Sequence, residues 1–217
     1  MKYPTDLVVL VVLWRLRYKL SLRDLAEMLL ERGFIFSHET VRDWDARLAP
    51  LLIERLRAKH CGQGGMRGHA DETYIKINGL WCYLYRAIER EGKFVDARLS
   101  ERRDMAADRR FFRQALDTVG HAPEQFTTDR HNAYPCAIRE TLGGGTIQRT
   151  SCSMNNRIAP DHRGIKQRYY PMRGFDSFAV VARFASAFEE QRQYFRAVSQ
   201  DGERVSSAER RIRHREC

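Results

Sequence analysis

The chain has 217 residues, room for one ordinary domain and a small accessory one, and its 38 Lys plus Arg against 28 Asp plus Glu give a formal charge of +10. That balance favours a polyanionic partner, nucleic acid ahead of an anionic membrane surface, because each phosphate contact releases condensed counterions. The five cysteines, Cys61, Cys82, Cys136, Cys152 and Cys217, show no C-x-x-C spacing, which argues against a disulfide framework and a zinc ribbon and fits a reducing, cytoplasmic compartment.

The apolar run Leu7 to Trp14 falls far short of the ~20 residues a membrane span needs, and no small-residue cleavage site follows it before Arg15, Arg17 and Lys19. It reads as a buried helix, and no membrane partner is expected. Leu22, Leu25, Ala26, Leu29 and Leu30 then recur at helical spacing. Ser21 with Asp24 resembles a capping box that starts this helix, and Gly33 offers the left-handed conformation that stops it. Ser37 can cap Glu39 and Thr40 and open a further helix through Val41, Trp44 and Leu48. Two helices joined by a short glycine-containing turn form a helix-turn-helix pattern. In such units the first turns of the second helix meet base edges, so His38, Thr40 and Arg42 are the candidate DNA contacts, while Val41, Trp44 and Leu48 read as core.

The glycine-rich segment 60–68 is the expected linker. Beyond it Asp71, Thr73, Ile75 and Ile77 fall on one strand face, Asn78-Gly79 signals a tight hairpin, and Trp81 to Ile88 and Phe94 to Leu99 give two more strands. Asp104 caps a helix carrying Ala107, Phe111, Ala115 and Val119, followed by a short strand, Phe126 to Thr128, that ends at Asp129. A helix over Ala133 to Leu142, a short strand over Thr146 to Gln148, an amphipathic helix over Phe178 to Phe195 and a polar tail from Val198 complete the chain. The β-β-β-α-β order points to an α/β fold with a mixed sheet flanked by helices, behind an all-α helix-turn-helix domain. The expected boundaries are 1–59 for the DNA-binding domain, 60–68 for the linker, 69–197 for the α/β domain and 198–217 for the tail.

Asp71 shares a face with Ile75 and Ile77, a costly place for a carboxylate unless a partner or a cation compensates it. Asp129 sits at the carboxyl end of a short buried strand, where α/β sheets place functional groups. On neighbouring strands the two could hold Mg²⁺, a hard cation that prefers carboxylate and phosphate oxygens. As caps of strand ends beside turns they would be structural only, and spacing alone leaves both readings open.

The run from His69 through Asp71-Glu72-Thr73-Tyr74 to Ile88 resembles the first catalytic block of the insertion-sequence-six family of DDE transposases. Further blocks keep that family's order: Arg103-Asp104-Met105-Ala106-Ala107, Thr127-Thr128-Asp129 with Tyr134-Pro135, Asn155-Asn156-Arg157-Ile158, Asp161 to Arg168, and Pro171 to Phe175. The resemblance implies a ribonuclease-H-like fold, double-stranded DNA as partner at element ends and target, and a two-metal site for Mg²⁺ or Mn²⁺ with Asp71 and Asp129 as its first two ligands. It also implies DNA-backbone contacts by Lys166 and Arg168, and a homodimer or higher multimer on DNA in the bacterial cytoplasm and nucleoid.

One position departs from the pattern. Where the family reads Asn-Asn-x-Ile-Glu-x-Asp-His, Ala159 stands in place of the third acid. Two-metal catalysis holds cations roughly 3.5 to 4 Å apart, and a methyl group ligates neither. Asp161 is the nearest substitute, but a two-residue offset on a helix turns its side chain about 200° away unless Pro160 delays the helix start. Two functions therefore stand: a transposase for DNA cleavage and strand transfer, and a DNA-binding remnant or regulator that no longer cuts. His60, Cys61, His69 and Cys82 match no common zinc finger. Tyr74, Trp81, Tyr83 and Tyr85 alternate along the strands and read as packing residues. Gly143-Gly144-Gly145 lacks the Lys-Ser/Thr of a phosphate loop, so no nucleotide is expected.

Overall fold

The computed structural model describes residues 3–59, 65–90, 92–129, 131–151, 159–169, 175–195 and 205–216. The chain divides into two compact units, one made of 1–57 with 165–217 and the other of 58–164.

The first unit begins with α1 (Thr5–Arg17), α2 (Leu22–Leu30) and α3 (His38–Ala58). Ser21 and Asp24 form the expected capping box, Ser21 Oγ accepting from Asp24 N at 3.1 Å and Asp24 Oδ2 from Ser21 N at 2.7 Å. Gly33 takes φ +81° after α2, and Ser37 Oγ accepts from Thr40 N at 3.4 Å at the start of α3. Val11, Leu25, Leu29 and Val41 form a buried cluster against which Trp14, Phe36 and Trp44 pack.

In this partition the chain from 165 onward joins the N-terminal helices. Helix α6 (Ala159–Tyr169) runs across the division, and α7 (Phe178–Tyr194) packs on α1 with Val181, Phe184, Ala185 and Phe188 buried. The residues after 198 are also more than a polar tail. They include α8 (Ser207–Glu216), with Val205 buried before it and Arg213 Nη1 donating to the Tyr194 carbonyl at 3.3 Å.

The second unit contains β1 (Arg67–Ile77), β2 (Leu80–Glu89), β3 (Phe94–Ser100), α4 (Met105–Val119), β4 (Gln125–Thr128), α5 (Tyr134–Leu142) and β5 (Ile147–Thr150). The sheet order is β3-β2-β1-β4-β5, antiparallel across the first three strands and parallel at β1/β4 and β4/β5. Asn78 and Gly79 at φ +46° and +82° close the β1/β2 hairpin, as their two-residue turn chemistry requires. Asp104 Oδ1 accepts from Ala107 N at 2.8 Å to start α4, and Gly120 at φ +85° ends it. On one sheet face Ala70, Tyr85, Ala87 and Phe126 pack under Phe111, Phe112 and Ala115 of α4 and Tyr134, Ala137 and Ile138 of α5.

Two expectations shift. Arg67 and Gly68, placed in the linker by their composition, open β1 and pair with β2 and β4. The missing side chain at Gly68 permits this, since a Cβ there would lie 2.7 Å from Phe126 Cε2. The last strand runs from Ile147 to Thr150, later than the sequence suggested, in register with all of β4.

Candidate metal centre

Strands β1 and β4 pair in parallel as Gly68↔Phe126 and His69↔Thr127, and the same offset carried two residues further sets Asp129 beside Asp71. Strand β4 has ended by then, at Thr128, so Asp129 stands where the chain leaves the sheet. His131 N donates to Asp129 Oδ1 at 2.9 Å, and Glu72 N to Asp71 Oδ1 at 2.9 Å, which fixes one oxygen of each carboxylate. Carboxylate oxygens of Asp71, Glu72 and Asp129 lie within 4.8 Å of one another, the one such group of potential ligands among the described residues. The structure thus brings together the two aspartates that the sequence singled out and adds Glu72.

Glu72 is held from two sides. It forms an ion pair with Arg103, which leaves the turn before α4, and accepts a hydrogen bond from the Tyr134 hydroxyl at the start of α5. The same guanidinium lies 3.5 Å from Asp129 Oδ2. With only 3% of its side chain exposed, Glu72 is pushed up to about 7, first by burial and then by the charges of Asp129 and Asp71, against the pull of Tyr134 and Arg103. Burial works against the charge of Arg103, but Glu72 and Asp129 outweigh it and leave the guanidinium above its ordinary range. Behind the site, Asp108 on α4 is fully buried, 3.6 Å from His131 Nδ1, and burial raises its pKa despite the Tyr85 hydroxyl and His131.

The acidic set suits a hard divalent cation, which would replace Arg103 as the positive charge among three oxygen donors. Without a cation the sign of the Glu72 shift has a consequence for stability. The folded state holds the proton more tightly than the unfolded chain, so stability falls as pH rises from the ordinary 4.5 through about 7. Urea unfolding in chelator is expected to show wild type losing about 3 kcal/mol relative to Glu72→Gln over that window; parallel pH profiles would contradict it.

The other predicted positions separate. Helix α6 begins at Ala159 and includes Pro160, so the delayed start on which Asp161 depended is not found; the side chains of 159–162 lie outside the described residues, as do His60 and Cys61. Lys166 is exposed on α6. Arg168 takes a structural position: its Nε and Nη2 donate to the carbonyls of Leu16 and Arg17 at 3.2 and 2.5 Å, and its guanidinium lies 4.4 Å from the Phe188 ring centroid. Cations complement helix carboxyl ends, which is the role this arginine fills for α1. On the first turns of α3, Glu39 receives both His38 Nε2 at 3.0 Å and Arg42 Nη1 at 2.9 Å, with Arg42 exposed and Thr40 half-buried. Tyr85 is buried as a packing residue, whereas Tyr74 and Trp81 are exposed, against the expectation for both. Sequence reasoning gave no role to Glu72, Arg103 or Tyr134, although each adjoins or belongs to a block that it quoted.

No helix among the described residues is long and apolar enough to cross a membrane. Residues 65–198 match a family model described as a DDE domain, that of IS240-type transposases. The transposase of insertion sequence-like element IS431mec from Staphylococcus aureus is 36% identical over 171 residues, 77% of this chain and 75% of the relative. The transposase of element IS257 in transposon Tn4003, also from Staphylococcus aureus, is 35% identical over the same shares. Among solved structures, a simian T-cell lymphotropic virus intasome in complex with the PP2A regulatory subunit B56 gamma matches at TM-score 0.50 and 12% identity, over 70% of this chain and 54% of that one, a likeness of fold alone. The strand order, the paired aspartates and these relatives agree, and the chain belongs to the DDE transposases of the insertion-sequence-six type, with a ribonuclease-H-like sheet.

Proposed function

We propose that this chain binds the ends of an insertion element and holds a divalent cation, Mg²⁺ or Mn²⁺, between Asp71, Glu72 and Asp129, as part of DNA transposition. The observation that carries the reading is the convergence of these carboxylates from β1 and the end of β4. When bound, the cation supplies Lewis-acid polarisation of a phosphodiester and a charge for the leaving oxygen. Asp71 and Asp129 would hold it, Glu72 would supply the third oxygen, and Arg103, freed from Asp129, would face the phosphate. Tyr134 keeps Glu72 in place through its hydroxyl. His38, Thr40 and Arg42 on α3, and Lys166 on α6, are the proposed DNA contacts, with a homodimer or higher multimer assembled on the DNA. The capping role of Arg168 withdraws it from that set.

Ala159 supports a second reading, a chain that binds element ends and one cation without cutting efficiently. Both readings share a first test: Mn²⁺ titration followed by electron paramagnetic resonance, beside gel-shift binding to an element-end duplex. Asp129→Asn is expected to weaken Mn²⁺ binding by about 100-fold or more, beyond the loss typical of outer contacts to a metal site, with duplex affinity retained. Equal Mn²⁺ affinity in the variant, or no preference of the wild type for the element end over a scrambled duplex, would overturn the proposal.

A further inference from the structure

The sheet face that carries Glu72 continues along β1 through Tyr74 to Lys76. Opposite them on β2 stand Tyr83 and Trp81, paired as Tyr74↔Tyr83 and Lys76↔Trp81. The buried core under α4 and α5 thins out along this face: Tyr85 is 0% exposed and Tyr83 is half-buried against that core, whereas Tyr74 is 46% and Trp81 60% exposed. Single exposed apolar residues are ordinary, but a row of them next to a site is not.

The three rings are arranged edge to face, Tyr74 to Tyr83 at 5.3 Å and 60° and Tyr74 to Trp81 at 6.4 Å and 86°. Each contact engages one face of one ring with the edge of its neighbour, and none of these pairs is stacked flat. The Lys76 ammonium lies 5.7 Å from the Trp81 ring centroid, and at the other end Glu72, two residues before Tyr74 on the same strand face, is ion-paired with Arg103. The row thus begins at the candidate metal centre and runs outward, with cations at both ends and Arg102 exposed nearby. Aromatic faces with interleaved cations recognise nucleic acid by stacking bases and attracting phosphates. A duplex already stacks its own bases, so only unpaired nucleotides can offer a free face to such a row. The net charge of +10 favours the same polyanion over a second copy of this basic chain.

We propose that Tyr74, Tyr83 and Trp81 form a stacking platform for unpaired nucleobases flanking the phosphodiester held at Asp71 and Asp129. This rests on the transposase reading above and adds the substrate form: an end that is frayed or single-stranded beside the reacting bond. The platform would hold the splayed nucleotides after the strands part, and Lys76 would meet the adjoining phosphate.

The test exploits the small number of tryptophans, three in the chain. In full-length protein carrying Trp14→Phe and Trp44→Phe, Trp81 is the sole indole, and its fluorescence reports stacking directly. Element-end duplexes with a short thymine overhang are expected to quench it, and blunt duplexes to leave it unchanged. By anisotropy in an otherwise wild-type chain, Trp81→Ala and Tyr74→Ala are expected to lower affinity for the overhang duplex by about 5- to 150-fold, the range of one lost base stack, and to leave blunt-duplex affinity unchanged. This second measurement decides the matter if the double phenylalanine variant fails to fold. Unaltered overhang affinity in both variants, or quenching that follows protein concentration without DNA, overturns the platform, the latter in favour of a second copy. If blunt ends bind and overhangs gain nothing, the platform fails while the transposase reading survives; if no DNA binds, both fail.

Discussion

Ala159→Glu is expected to raise metal-dependent cleavage of an element-end duplex by about 100-fold or more, the scale on which a missing two-metal ligand exceeds an outer-contact defect. The physical reason lies in the count of oxygen donors. Asp71, Glu72 and Asp129 offer one cation three carboxylates, but in-line displacement uses a second cation to stabilise the oxygen on the other side of phosphorus. Mn²⁺ titration is therefore expected to give about one strong site per chain in the wild type and about two in Ala159→Glu. Adding Glu72→Gln to Ala159→Glu should remove one strong site, because a neutral amide neither balances the cation nor competes for Arg103. Wild-type cleavage already equal to that of Ala159→Glu would show that another carboxylate completes the site and would end the incomplete-site reading. Unchanged Mn²⁺ stoichiometry in Ala159→Glu, with the fold intact by circular dichroism, would exclude position 159 from the metal shell.

Asp45→Ala is expected to destabilise the helical unit by about 3 to 5 kcal/mol, the cost of removing one partner from a buried ion pair. Asp45 is 3% exposed on α3, with Arg15 Nε 3.5 Å from Oδ1 and Arg183 Nη2 3.7 Å from Oδ2. Arg15 is itself 5% exposed, its guanidinium 5.7 Å from the Phe184 ring centroid, so the substitution strands a cation in an apolar setting. Burial raises Asp45 above its ordinary value against both arginines, and burial lowers Arg15. With its folded pKa raised, Asp45 binds its proton more tightly in the folded state, and its ionisation costs stability as pH rises through the carboxylate range. The loss in Asp45→Ala comes from the stranded arginines. Denaturant unfolding at neutral pH measures it; a change below about 1 kcal/mol would mean that water reaches Arg15 freely.

The candidate centre was legible to different depths at different residues. Asp71 stood out as a carboxylate on an otherwise apolar strand face and Asp129 as one at the carboxyl end of a short buried strand, and the family resemblance paired them. Glu72 was invisible for the opposite reason: as the next residue on the strand it faces the other side, where alternation assigns an ordinary position. Its significance comes from Arg103 and Tyr134, which arrive from two other elements. Arg168 shows the converse, since an arginine on a basic helix reads as a phosphate contact until the carbonyls of Leu16 and Arg17 come to lie under it.

Neighbouring residues alone set the local devices: the capping box at Ser21, the left-handed turn at Gly33, the Asn78-Gly79 hairpin and the cap at Asp104. Each depends on residues within a few positions of one another, so chain chemistry specifies it before any long-range contact forms. The family and the alanine at position 159 were likewise set by residue identity. Long-range packing fixed which residues join the aspartates, that Gly68 belongs to a strand beside Phe126, that the chain beyond 165 joins the N-terminal helices, and that Tyr74 and Trp81 stay exposed. Those outcomes follow from which distant surfaces meet, and neither periodicity nor composition carries that information.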